Sequence, residues 1–177
     1  MTFLFKSGMQ SRPNVRRTWS IRGKRPQMSM KEARDKISIV SAVSEDGELF
    51  FAIKYESMRD LDIITFLEQL LFEIRGFVCV FWDNIVIHRS ENVKKFLFDH
   101  NDRMITRRIP AYSPEFNPDE WIWNAPKYQE LPNFCPASKE ELWHTAEETL
   151  PEMKGDPERI KKIIMGTKLP LLSLVNI

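Results

Sequence analysis

The chain has 177 residues, 42% hydrophobic and 29% charged, which excludes a disordered polypeptide and leaves room for one domain with a sizeable core. Its net charge is only +1, yet residues 1–34 hold nine Lys and Arg against the single acid Glu32, a local +8 on a body of −7. No apolar run approaches the roughly 18–20 residues that a bilayer-crossing helix needs, and no charged-then-apolar leader opens the chain, so neither a membrane-spanning nor a secreted protein is expected.

In chain order, "MTFLF" suits a short buried strand, halted by "KSGMQSRPN". "VRRTWSIRGKRP" sets Arg16, Arg17, Arg22, Lys24 and Arg25 around Trp19 and reads as a turn-rich basic loop or ribbon. Such an arm fits a polyanion such as nucleic acid, or is simply a solvated loop. "KISIVSAVSEDGELFFAIKYES" reads as a hairpin, with Ile37, Ile39, Ala42 and Val43 facing Leu49 to Ile53 across an Asp46-Gly47 turn. In "RDLDIITFLEQLLFEIRG", Ile63, Leu67, Leu70 and Ile74 recur at helical spacing, and Gly76 closes the segment. "FVCVFWD" is continuously apolar and predicts a strand covered on both faces. A helix follows, with Ser90 as N-cap and Val93, Phe96 and Leu97 turned inward. "MITRRIP" predicts a short strand closed by Pro110, and helical patterns return at about 119–130, 138–150 and 157–166, bounded by prolines. The apolar tail after residue 166 has no clear period. Hairpins first and alternation afterwards predict an α/β fold, a mixed sheet flanked by helices. The two cysteines, Cys79 and Cys135, match neither a zinc site nor a disulfide framework; Cys79 reads as a small core residue, and a reducing cytoplasmic compartment is expected.

Two acids stand where chemistry would be placed. Asp83 ends an apolar strand at the sheet edge where open α/β sheets hold ligands, although Asp-Asn is also a common turn pair. Glu120 stands three residues after Asn117, a candidate cap followed by Pro118. It is either a capping-box glutamate or a functional carboxylate aimed at the edge that carries Asp83. Two converging carboxylates would suit a hard divalent cation, and a pair of such ions supports phosphodiester chemistry. His88 either packs or caps near Ser90.

"FWDNIVIHRS" followed by "IPAYSPEFNPDEWIW" resembles the paired signature of the mariner-like DDE transposase superfamily, in particular its bacterial insertion-sequence branch. In that family the first motif reads approximately L-D-N-x-x-I-H-R-S and the second P-A-Y-S-P-E-L-N-P-I-E-x-x-W. The resemblance spans about residues 2–166. It implies a ribonuclease-H-like catalytic domain over 1–166 with a tail at 167–177, acting on DNA through three carboxylates and two Mg²⁺ or Mn²⁺ ions to nick ends and join them to a target. Carried over residue by residue, Asp83 is the second carboxylate and Glu120 the third, both metal ligands, with Pro114, Asn117 and Pro118 shaping the loop that presents Glu120. The family's first strand ends in an Asp-Glu-Ser-Gly-like signature, whereas this chain reads Phe5-Lys6-Ser7-Gly8. Phe5 cannot ligate a metal, and Lys6 adds positive charge beside a site for cations. Weakened metal binding and a strongly impaired or inactive nuclease are therefore expected. The family's helix-turn-helix modules are expected to be missing, because the chain begins at the first catalytic strand. The cations Arg16 to Arg25 would hold DNA phosphates. A reading from another class is a non-catalytic remnant that binds DNA, or that associates with itself or with a full-length transposase.

Overall fold

The structure, a computed structural model, describes residues 36–109 and 138–166 in full and residues 2–10 as strand backbone. The basic arm, Glu120 with its proline-rich loop, the pattern at 119–130, Cys135 and the tail lie outside the described residues.

Five strands form one mixed sheet: β1 (Thr2–Gln10), β2 (Lys36–Ser44), β3 (Leu49–Lys54), β4 (Val78–Trp82) and β5 (Met104–Arg108). Their order is β3-β2-β1-β4-β5, antiparallel across the first three and parallel across β1, β4 and β5. The expected hairpin forms in the expected register, with Ile39 opposite Ile53 and Val43 opposite Leu49. Gly47 makes its turn at φ +83, a left-handed conformation natural to glycine.

Strand periodicity divides the core into two layers. Val78, Val80 and Trp82 of β4, with Val40 and Ala42 of β2, pack on α1 (Asp60–Glu73) and α2 (Glu91–Asp99). On the opposite face Phe81 and Val43 meet Met153, Ile160 and Ile164, while Ile37 and Ile39 meet Leu142, Ala146 and Leu150. Those partners come from α3 (Lys139–Lys154) and α4 (Pro157–Gly166). Central β4 is thus covered on both faces as its composition requires. Cys79, by contrast, is only half-buried at the border of the second cluster, where desolvation pushes its thiol pKa up.

Two boundaries differ from the sequence reading. β1 does not stop at Phe5. It continues through Lys6-Ser7-Gly8 to Gln10, because β2 offers an unbroken antiparallel partner from Ser44 back to Lys36. Helix α3 does not end at Pro151 but runs through it to Lys154. The proline removes one backbone donor near the helix end, while Leu150 and Met153 on either side are both buried. Tertiary packing outweighs that local preference.

Candidate functional site

β4 hands the chain to the site in four steps. Pairing ends at Trp82, whose carbonyl accepts from the Ile109 N–H at 2.9 Å. Asp83 follows, and its Oδ1 accepts from the Ile85 N–H at 3.3 Å, an Asx-type turn. Val86–Arg89 then form one 3₁₀ turn, and Ser90 caps α2 by accepting from the Val93 N–H at 3.2 Å. Ser90 is therefore the cap expected from sequence, and His88 is the residue that packs.

Because β4 and β5 run parallel and end level at Trp82 and Arg108, their C-terminal ends share one edge, and Asp83 stands there, while β1 beside them runs on to Gln10. The β1–β4 register pairs Thr2 with Val80 and Phe3 with Phe81. Continuing it by two residues brings Phe5 level with Asp83.

The Asp83 side chain is 40% exposed. Oδ1 lies 3.2 Å from His88 Nδ1, and Oδ2 has no partner among the described residues. His88 itself is buried, its ring stacked on Trp82 at 4.3 Å with the planes 10° apart. A carboxylate with one anchored and one open oxygen can donate one contact to a hard cation. No group of three or more His, Cys, Asp or Glu that could hold a metal occurs among the described residues, and position 5 supplies no donor. The described donors fit one cation contact at Asp83, not a pair of ions.

Beside the 3₁₀ turn, a cavity of about 590 Å³ opens between the starts of α1 and α2, lined by Arg59, Arg89 and Lys94 as well as Asp60. Lys94 is paired with Glu91 at 2.7 Å. The hydrogen bond from Asn92 holds the Asp60 carboxyl below its ordinary range. Sequence reasoning missed these cations because they lie about thirty positions apart and belong to no run; only the packing of α1 against α2 unites them. No helix among the described residues is long and apolar enough to cross a membrane.

Residues 1–142 match the family profile described as DDE superfamily endonuclease. The chain belongs to that family. Among solved structures it is similar to the Mos1 strand transfer complex, at 16% identity and TM-score 0.64, over 96% of this chain and 55% of that one. It is also similar to the mariner Mos1 paired end complex with Mg, at 15% identity and TM-score 0.62, over 94% of this chain and 55% of that one. The catalytic domain of Mos1 mariner transposase aligns at 14% identity and TM-score 0.56, over 94% of this chain and 83% of that domain. The chain spans about half the length of the first two proteins. A comparison with curated proteins finds no match. The fold is thus that of a mariner-type, ribonuclease-H-like catalytic domain.

Proposed function

We propose that this chain is a transposition-type DNA endonuclease and strand-transfer domain by descent, strongly impaired because Phe5 occupies the first-carboxylate position. The observation that supports this reading is the β1–β4 register, whose continuation by two residues past Phe3–Phe81 would set Phe5 beside Asp83. A carboxylate at position 5 could serve as a ligand to a cation held by Asp83; phenylalanine has no donor atom to offer. Asp83 and Glu120 are the surviving ligands, and Mg²⁺ or Mn²⁺ binds weakly through them. DNA is the partner, met by the arm cations Arg16, Arg17, Arg22, Lys24 and Arg25 and by Arg59 and Arg89 beside the 3₁₀ turn. The setting is the cytoplasm, in keeping with two cysteines whose spacing matches no disulfide framework.

Nicking of supercoiled plasmid DNA in Mn²⁺ tests the reading. The unmodified chain should show no cleavage above a metal-free control. Phe5→Asp combined with Lys6→Glu should raise nicking at least tenfold, and adding Asp83→Asn or Glu120→Gln should abolish the gain. Cleavage by the unmodified chain that Asp83→Ala removes would sink the impairment claim.

The basic N-terminal arm favours a second reading, a non-catalytic module that binds DNA or pairs with a full-length transposase and poisons its assembly. DNA binding that a chelator leaves unchanged, with no metal-dependent broadening at Asp83, would select it.

A further inference from the structure

His88 is a costly residue for its place. Its side chain is 1% exposed, and Nε2 has no hydrogen-bond partner among the described residues. A buried unsatisfied polar atom costs about 1–3 kcal/mol, so the imidazole must return something that a hydrocarbon ring would not. Stacking on Trp82 is not that return, because phenylalanine would stack equally well at 4.3 Å and leave no orphaned nitrogen. What remains is Nδ1. It lies 3.3 Å from the Asp83 main-chain oxygen and 3.2 Å from Asp83 Oδ1. A carbonyl oxygen can only accept, so Nδ1 carries the proton and donates it to the Asp83 main-chain oxygen, while Oδ1 of the same residue packs against Nδ1 at 3.2 Å.

We infer that His88 is a positioning residue: seated on Trp82, it clamps the backbone and Oδ1 of Asp83 so that Oδ2 alone is presented at the sheet edge. The clamp is local, since the 3₁₀ turn Val86–Arg89 returns the chain over the strand end from which Asp83 departs. Strand β4 fixes Trp82, Trp82 fixes the ring, and the ring fixes the carboxylate. A buried helper of this kind commonly shifts metal affinity by tenfold or more without touching the ion. The part concerning cations rests on the reading of Asp83 as a ligand; the part concerning its rotamer does not.

Two NMR readouts separate these parts. Three-bond couplings from Asp83 Cγ report whether its χ1 holds one rotamer. Mn²⁺ titration reports cation contact through broadening of the Asp83 and Ile85 amide signals. His88→Phe keeps the stack and loses the donor, and it should average the Asp83 χ1 and raise the Mn²⁺ midpoint about tenfold. His88→Asn places an amide nitrogen near the Nδ1 position, and should keep one rotamer and a midpoint within about threefold of the unmodified chain. His88→Gln puts its nitrogen near the Nε2 position and should behave like phenylalanine, which keeps the comparison usable should His88→Phe fold poorly. An Asp83 rotamer that stays single in both the Phe and Gln variants overturns the inference. If Asp83→Asn leaves the broadening unchanged, the ligand reading of Asp83 fails, while the couplings still decide whether His88 positions it.

Discussion

At the scale of single residues, Gly47 shows how one missing side chain joins two layers of the molecule. Its φ of +83 lies in the region that L residues rarely adopt, and a Cβ built there would run into the Pro157 carbonyl oxygen and crowd the Lys161 stem. The hairpin turn therefore closes directly on the first turn of α4. Gly47→Ala should destabilise the chain by about 3 kcal/mol, from left-handed strain plus displacement of α4. A urea midpoint lowered by less than a third of that amount would show that α4 yields freely. Asp-Gly in the sequence was enough to foresee the turn, but nothing in it foretold the helix lying against it. The site divides the same way. Asp83 drew notice as a candidate because an acid ending a wholly apolar strand is conspicuous, and Phe5 because the motif that the chain resembles has an acid there. His88 was present in the quoted motif without a role, since its contact with Asp83 depends on a 3₁₀ turn that leaves no periodic mark.

At the scale of elements, what sequence revealed was periodicity, and what it concealed was partnership. The five strands and four helices among the described residues follow from apolar spacing, yet the length of β1 depends on β2, and the passage of α3 through Pro151 depends on the core beneath it. The end of α1 is a further case. Its last turn carries no basic residue, but Arg103, from the start of β5, donates to the carbonyls of Leu71, Ile74 and Gly76 at 2.9–3.2 Å. The start of α1 depends on Asp62, which accepts from the Arg59 N–H and from Lys54 Nζ, each at 2.7 Å. Burial acts to raise the Asp62 pKa, but the Lys54 ammonium and the Arg59 amide outweigh it and hold the carboxyl below its ordinary 3.8. A folded-state pKa lowered in this way stabilises the native chain above the unfolded value and ceases to do so as pH falls through the folded one. Asp62→Asn should therefore cost about 1 kcal/mol at pH 7, with the gap to the unmodified chain closing below about pH 4. Thermal melts of both proteins across pH 3–7 check this. A gap independent of pH would assign the loss to the cap geometry and not to the charge.

At the scale of the whole molecule, the important asymmetry is of charge: +8 in residues 1–34 against −7 in the rest. A total of only +1 conceals an arm whose charge would attract a polyanion that the body repels, so contact should be confined to the arm and to the few cations beside the 3₁₀ turn. Binding of that kind is driven by release of counterions and must weaken with salt in proportion to the phosphates neutralised. If Arg16, Arg17, Arg22, Lys24 and Arg25 each neutralise one phosphate, they should contribute about −4.5 to the log–log slope, a loss of roughly 500-fold in affinity for duplex DNA between 50 and 200 mM salt from the arm alone. Replacing those five by Gln should flatten the slope toward the part left to Arg59 and Arg89, whereas Asp83→Asn should leave it unchanged because a carboxylate neutralises no phosphate. Fluorescence anisotropy with a labelled duplex measures each slope. An unmodified chain whose affinity hardly changes over that range would make the arm a solvated loop, and would transfer any DNA contact to the cations between the starts of α1 and α2.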